Sequence, residues 1–308
     1  MDKHFITIIV SMVMGVIART YMMKIDYRQY PTYPQAYLSH FTLGVIAAGL
    51  GAVVIPAITE KEYVAVTFLA IAAQHFRDVR SLERESLDNI EPTELVPKGT
   101  AYIEDIAKTF EARNYMAIIT ATATGTAMYI GEILQLSIFI RAILGIIIGA
   151  IVINALNKML ETKLIDDIAE VREAKITFEG PLLTVAGVII MNIGLKDSRE
   201  TFVKNGIAVE IIPKDDNAIA VLSNIGQRQA IQHNAAIQLG IRKDVDEPDF
   251  TPIARRNPEN GNIVMAIVAM EPNVEYLIEA VRRTPIIESS KRKPLDSYVG
   301  KKKAGMKE

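Results

Sequence analysis

The chain is organised around IFIRAILGIIIGAIVINAL at residues 138–156 and its continuation NKMLETKLIDDIAEVREAK at residues 157–175. The first part is long enough to cross a bilayer, because about 20 helical residues span the ~30 Å hydrocarbon core. From the end of the first part onward, apolar residues recur every three or four positions, at Leu156, Leu160, Leu164, Ile168 and Val171. That spacing is typical of an amphipathic helix. The sequence therefore predicts one helix that leaves the membrane as an amphipathic stalk over residues 158–174.

Composition limits the classes of protein to which the chain can belong. The 308 residues are 50% hydrophobic, the mean hydropathy is +0.20, and the formal net charge is −2. This charge predicts no general affinity for nucleic acid, so any polybasic effect is local. The chain contains no cysteine, which excludes disulfides, thiolate zinc sites and a cysteine nucleophile.

Four further segments are candidate membrane spans. The first follows Lys3 and His4; it is either an uncleaved helix or a signal peptide, and the basic residues that follow it favour the helix. The second, residues 39–59, is strongly apolar. The third, residues 63–76, is short, so a re-entrant or interfacial segment is its alternative. The fourth, residues 116–131, is rich in threonine and alanine.

Charge asymmetry predicts the orientation of these spans. With five spans and the amino terminus outside, the two inner loops carry nine Lys or Arg residues, whereas the outer segments carry two. Positive charge is retained on the cytoplasmic side. We therefore expect a multi-pass protein of the cell membrane with a cytoplasmic carboxyl terminus.

The fold class that follows is an α-helical membrane domain of about five transmembrane helices and a small cytoplasmic α+β domain of ferredoxin-like type. The membrane domain covers residues 1–157 and includes a cytoplasmic loop at 77–115. The α+β domain covers 175–290, where strands are predicted at KITFEG, LLTVAGVIIM, GIAVEIIP, AIAVLS and NIVMAIVAM. A helix capped by Asn224 follows AIAVLS. Residues 291–308 are predicted to be a disordered basic tail that attracts anionic lipid.

The inner loop contains AYIEDIAKTFEARNYM at residues 101–116, which resembles the signature of the YIEGIA family of membrane proteins from spore-forming bacteria. Asp105 stands where the family hexapeptide has glycine. Similar stretches at YRQYPTYP, FTLGVIAAGLGAVVIPA and EYVAVTFLAIAAQHFR extend the resemblance over at least residues 27–116. The resemblance implies an integral membrane protein, a link to sporulation and a small capping subunit as partner. It implies no activity and no catalytic residues. The matching motif residues are Tyr102, Ile103, Glu104, Ile106 and Ala107.

The motif helix, residues 102–115, has two interpretations: an interfacial helix on which subunits or a partner pack, or an ordinary membrane-surface helix. The predicted spans carry small residues at helical spacing, which permit close helix contacts. The threonines of the fourth span either pack against neighbouring helices or line a polar passage. The predicted helix-packing residues are Gly44, Ala48, Gly51, Ala121, Gly125, Gly145 and Gly149.

No constellation of catalytic, metal-ligating or cofactor-binding residues is found in the sequence. His233 lies among Gln227, Arg228 and Gln232, and a solvated helix face is the favoured interpretation over a metal ligand. We therefore expect no enzyme, no metal and no cofactor, and instead a homo-oligomeric membrane assembly that acts as a scaffold or conduit. The alternative is a transporter or sensor with a ligand-binding cytoplasmic domain, which predicts a buried ionisable group within a span.

Overall fold

The computed structural model describes residues 4–26, 34–160, 163–244, 247–248 and 250–303. Most of the YRQYPTYP stretch, part of the predicted stalk and residues 304–308 lie outside this part of the chain. The chain divides into two compact units. The helical unit is Met1–Glu85 with Ile106–Glu161, and the α/β unit is Ser86–Asp105 with Thr162–Glu308. Part of the predicted inner loop is thus counted with the carboxyl-terminal domain.

Five long helices come first along the chain: α1 (Phe5–Asp26), α2 (Pro34–Thr59), α3 (Tyr63–Ile90), α4 (Thr100–Ile133) and α5 (Ile138–Leu160). Within the described residues, three helical segments are long and apolar enough to cross a membrane: Phe5–Met22, Tyr37–Thr59 and Ile138–Leu160. The other two predicted spans lie in α3 and α4, which are helical but less apolar. In the helical unit, α1 packs against α2 and α5.

The predicted continuous helix from α5 to Val171 is wrong. Helix α5 ends at Leu160, a four-residue helix α6 follows at Ile165–Ile168, and strand β1 occupies Ala169–Glu173. Along β1, Ala169 and Val171 are buried and the residues between and after them are exposed. This alternation is the period of a half-buried strand. Pairing with β5 therefore prevails over the helical spacing that the sequence also permits.

The remaining elements build the α/β unit. Its other helices are α7 (Lys196–Asn205), α8 (Asp216–Leu222), α9 (Ile225–Leu239), α10 (Val274–Arg282) and α11 (Tyr298–Lys303). Its other strands are β2 (Ile176–Glu179), β3 (Leu182–Val185), β4 (Val188–Asn192), β5 (Gly206–Pro213), β6 (Lys243–Asp244), β7 (Glu247–Pro248), β8 (Ile253–Arg256) and β9 (Ile263–Val268).

The main sheet has the order β1-β5-β9-β8, and every pair in it is antiparallel. A second sheet has the order β2-β3-β4. All six residues of β9 are buried, because both of its faces are covered. Ile263, Met265 and Ile267 join the core under α9 and α10. Val264, Ala266 and Val268 join the core shared with β3 and β4.

Two predictions for the carboxyl-terminal half are corrected. The antiparallel sheet is compatible with the ferredoxin-like type, which stays a prediction. AIAVLS is not a strand: Asp215 accepts a hydrogen bond from the Ala218 amide at 2.6 Å and begins helix α8. The basic tail is not wholly disordered, because residues 294–303 form a 3₁₀ turn at Pro294–Asp296 and helix α11. The predicted Asn224 cap of α9 is confirmed.

Candidate functional site

The motif helix α4 begins at a tightly constrained turn. The carboxylate of Glu91 accepts hydrogen bonds from the amides of Lys98 and Gly99, at 3.0 and 2.5 Å. A negative charge at this end of a helix is stabilising. Gly99 has a φ of +83°, and a Cβ there would lie 2.3 Å from the Gln229 Oε1. The turn therefore favours glycine for its backbone angle, and the end of the Gln229 side chain lies directly against it.

One stripe of α9 packs against the segment that precedes and opens α4. A Cβ on Gly226 would lie 2.5 Å from the Cβ of Ala101, so the two helices are in close contact at their first turns. Gln229 and His233 continue the stripe one and two turns along α9. This spacing puts all three α9 residues on one helix face. The start of the motif is therefore an integral part of the α/β unit.

Tyr102, the first motif residue, is 3% exposed. Its hydroxyl accepts a hydrogen bond from the Asn234 Nδ2 at 3.5 Å, and its ring meets the His233 ring edge to face at a centroid distance of 6.3 Å. Burial raises the pKa of Tyr102; the hydrogen bond from Asn234 opposes this, and the Asp105 charge adds to it. Tyr102 therefore stays neutral and acts as a packing and hydrogen-bonding group.

The interpretation of His233 as a solvated residue is wrong. Its side chain is 2% exposed, and its Nδ1 lies 2.5 Å from the carbonyl oxygen of Val96. Since a carbonyl only accepts, Nδ1 carries the proton and donates it. Burial lowers the pKa of His233, the Val96 bond opposes that shift, and Lys98 adds to it. His233 thus connects the middle of α9 to the chain just before the motif.

Asp105 makes the second polar connection. Its Oδ1 accepts a hydrogen bond from the Glu288 amide at 2.7 Å, at the start of the 3₁₀ turn Glu288–Ser290. The same turn is held by Gln227, whose Oε1 accepts from the Ile287 amide at 2.9 Å and from the Ser290 hydroxyl at 3.0 Å. Asp105 itself is only 9% exposed.

The remaining motif residues follow the helix into the helical unit. Ile103 is buried and Glu104 is partly buried. Ile106 and Ala107, which are 1% and 0% exposed, belong to the helical unit. The hexapeptide is thus divided: Tyr102 to Asp105 lie in the α/β unit, and the last two residues lie in the helical unit.

The predicted helix-packing residues lie at close contacts between helices of the helical unit. A Cβ on Gly51 would lie 2.4 Å from the carbonyl oxygen of Ile118. A Cβ on Gly149 would lie 2.6 Å from the Thr124 Oγ1, and a Cβ on Gly145 would lie 2.7 Å from the Cγ of Met128. The others are placed similarly: Gly44 lies against Arg19, Ala48 against Gly15, Ala121 against Gly15 and Gly51, and Gly125 against Ser11.

The family profile named YIEGIA protein matches residues 7–297. The chain belongs to the YIEGIA family. A relative of this family member, the uncharacterized protein YphB of Bacillus subtilis (strain 168), is 38% identical over 296 residues. The alignment covers 96% of this chain and 97% of the relative. No solved structure matches the chain. The match confirms the resemblance and extends it over nearly the whole chain.

In this YIEGIA member the departure from the family hexapeptide has a structural role. Glycine at position 105 would remove the carboxylate that accepts from Glu288, whereas aspartate supplies an anion at the start of the 3₁₀ turn. Such an acceptor contributes about 1 kcal/mol at a helix start. The contacts of the motif region are of three kinds: packing against α9, capping of helix starts and hydrogen bonding.

The helical unit contains a buried basic cluster, which we define as Arg19, His40 and Arg113. The cluster was not predicted from the sequence. The arginine residues are 1% and 4% exposed, and His40 is 8% exposed. The Phe110 ring joins them: the guanidinium of Arg19 lies 5.1 Å from its centroid, and the His40 ring meets it at 4.6 Å. Both arginine residues are among the nine basic residues of the two predicted inner loops. The available signal was the position of Arg19 inside the apolar window Phe5–Met22.

Proposed function

We propose that the protein is a non-enzymatic integral membrane subunit of a homo-oligomeric assembly, acting as a scaffold or conduit. In this proposal five helices cross the membrane, the amino terminus lies outside, and the α/β unit is cytoplasmic. The three strongly apolar helices support membrane insertion. The excess of basic residues in the predicted inner loops supports the orientation.

The observation that carries the oligomer is the exposure of α3. Its apolar stretch from Tyr63 to Phe76 is about 20 Å long at 1.5 Å per residue, well short of the ~30 Å hydrocarbon core. Tyr63 and Val64 are 73% and 83% exposed in the single chain. A span that is too short is accommodated by thinning of the bilayer, by snorkelling of flanking residues or by association with other helices, and we propose the last of these here. Neighbouring copies would supply those helices.

Helix α5 is consistent with the same arrangement. Its glycine side, Gly145 and Gly149, packs inside the helical unit. Its other sides carry exposed large apolar residues, among them Phe139 at 79% and Ile151 at 58%. Only 11% of the apolar segment Ile138–Leu160 is buried. A surface of this kind is stable against lipid or another apolar helix rather than against water.

Single-cysteine labelling tests the proposal cleanly, because the chain contains no cysteine. With five spans, Leu134→Cys reacts with a membrane-impermeant maleimide in intact cells, and Ser86→Cys reacts only after permeabilisation. If α3 and α4 do not cross, Ser86→Cys is labelled from outside as well. That second pattern would refute the five-span topology while leaving membrane insertion intact.

Cross-linking tests the role of α3 in association. Val64→Cys, on the exposed side of α3, is expected to form disulfide-linked dimers under mild oxidation. Met116→Cys is the matched control, because Met116 is 3% exposed inside the helical unit. Equal cross-linking of both variants, or of neither, would contradict an interface at α3.

The family resemblance adds two parts to this proposal, a link to sporulation and a small capping subunit as partner. Purification of the tagged protein from vegetative and sporulating cells tests both together. A small protein that co-purifies in fixed ratio from sporulating cells supports them. Its absence at every stage counts against both.

The buried basic cluster favours a second candidate function, a transporter or sensor for an anionic ligand. An ionisable side chain inside an apolar helix is costly and is most often retained for function. Arg19 is buried within the window Phe5–Met22. Uptake or binding of anionic solutes that is lost in Arg19→Gln, with assembly unchanged, would favour this candidate.

A further inference from the structure

The carboxyl-terminal segment 291–303, which we call the basic hook, is folded and attached to the α/β unit. The amide of Leu295 donates a hydrogen bond to the Asn217 Oδ1 on α8 at 3.1 Å. Leu295 itself is partly buried, whereas its neighbours in the hook are mostly exposed. The hook is therefore fixed at its centre and presents its remaining side chains to the surroundings.

Internal contacts keep the hook compact. The Ser297 hydroxyl donates to the Pro294 carbonyl at 2.6 Å and accepts from the Gly300 amide at 3.1 Å. A Cβ on Gly300 would lie 1.9 Å from the Pro294 carbonyl oxygen, so α11 packs directly on the preceding turn. This compact turn connects the two basic runs of the hook, 291–293 and 301–303.

The charge of the hook is strongly positive although the whole chain is slightly acidic. Asp296 lies 3.6 Å from Lys293 and offsets one of the cations. The others make a local positive patch on a chain whose net charge is −2. Five basic residues of the hook are exposed: Lys291, Arg292, Lys293, Lys301 and Lys302.

Exposed apolar side chains lie beside these cations. Tyr298 and Val299 are 67% and 73% exposed. On α11, Lys301 and Lys302 follow Tyr298 by three and four positions, so they share its side of the helix. An aromatic ring flanked by lysines suits the membrane interface, where the ring lies at headgroup depth and the cations meet lipid phosphates.

We propose that the basic hook binds the anionic lipid surface of the membrane in which the protein is anchored. The inference rests on the proposed membrane location, and it goes beyond a disordered tail because it assigns a folded element with defined contact residues. A preformed element loses less conformational entropy on binding than a disordered tail does. Covalent attachment of the α/β unit to α5 also keeps the hook at a high effective concentration near the bilayer.

The chain contains no tryptophan, so the fluorescence of one introduced tryptophan reports on the contact between the hook and lipid. We expect the full-length Tyr298→Trp variant, reconstituted in vesicles of phosphatidylglycerol and phosphatidylcholine, to be quenched by brominated lipid. Quenching should fall sharply in pure phosphatidylcholine and at high salt. Tyr276→Trp, at a residue 59% exposed on α10, is the control that should stay unquenched.

Charge removal tests the mechanism in the same background. Lys291→Gln, Arg292→Gln and Lys293→Gln together are expected to reduce the bound-to-free ratio of the hook by about fivefold per charge removed. Lys175→Gln, Lys196→Gln and Lys204→Gln remove the same charge from exposed sites elsewhere on the α/β unit and should leave quenching unchanged. Equal effects of the two triple variants would overturn the proposal.

Carbonate washing of the same vesicles separates the two proposals. If the Tyr298→Trp protein stays in the washed bilayer but its fluorescence is not quenched in anionic vesicles, lipid binding by the hook alone is refuted. Protein that is stripped from the bilayer refutes the proposed membrane insertion itself.

Discussion

Gly226 lies at the closest contact between α9 and the start of the motif helix. A side chain there gains helix propensity, up to about 1 kcal/mol for alanine over glycine. The gain is opposed by Ala101, whose Cβ would lie 2.5 Å from the new one. Neither Cβ can rotate away, because both are fixed by the backbone. The helices therefore have to separate.

We predict that Gly226→Ala weakens the packing of the motif start by about 1–3 kcal/mol, as overpacking does in other cores. Hydrogen exchange of the amides in 91–105 and 225–239 measures it, and exchange should become faster there. Adding Ala101→Gly to the same chain removes the opposing Cβ and should restore protection. Unchanged exchange in the single variant would contradict the contact.

His233 makes the stability of the α/β unit sensitive to acid. Its pKa is lowered from 6.5 by burial, so below pH 6.5 the folded state binds fewer protons than the unfolded state. Stability is therefore complete above pH 6.5 and decreases as the pH falls from there towards the lowered native pKa. The slope is about 1.4 kcal/mol per pH unit at most.

We predict that His233→Gln flattens this part of the pH profile, because the glutamine amide can donate to Val96 without titrating. Circular-dichroism melting of the full chain between pH 7.5 and 5, as the difference between wild type and variant, measures the effect (both pH limits are about one unit or more from the ordinary histidine pKa). His75→Gln is the control, since His75 is 71% exposed beside Asp78. If His75→Gln flattens the pH profile of stability as much as His233→Gln does, the acid sensitivity does not come from His233 and the prediction is refuted.

The helical unit depends on backbone-to-backbone approach between α2 and α4. On α2, a Cβ at Gly51 would meet the backbone oxygen of Ile118 at 2.4 Å and its Cα at 2.9 Å, whereas Gly49 has open space around it. We predict that Gly51→Ala destabilises the unit by about 1–3 kcal/mol. Gly49→Ala, two residues away, should be neutral or slightly stabilising. Thermal unfolding in detergent compares them, and equal behaviour of the two variants would contradict the α2–α4 contact.

The apolar helices, the strands β5 and β9 and the Asn224 cap were predictable because each is marked by local signals. A long apolar run, a short β-branched run and a cap followed by a helix need no tertiary information. The end of helix α5 and the strand β1, which replace the predicted stalk, were not predictable in the same way. Val171 fits both a helical stripe with Ile168 and a strand alternation with Ala169, and the choice depends on the partner strand β5.

AIAVLS shows the same ambiguity over a shorter length. A run of small and β-branched residues suits either a strand or a buried helix. Asp215 was the missed signal, since it caps α8. The site was harder still: contacts such as Val96 with His233 join residues 137 positions apart, which no local pattern reveals.

As a whole, the molecule combines a helical unit rich in close small-residue contacts with an α/β unit built on an antiparallel sheet. The family motif contributes to both units. The predicted helix-packing residues make their close contacts within one chain. Support for an oligomer therefore rests on the short, exposed α3 and on the apolar surface of α5.

The most direct test of the proposed assembly is the native mass of the full-length protein, released from lipid nanodiscs or mild detergent into a mass spectrometer. One chain has a mass of 34.0 kDa. We predict a species at a defined multiple of that mass, lost when α3 residue Val64 is replaced by a charged residue. A single species at the mass of one chain, unchanged by protein concentration and by lipid, would contradict the assembly.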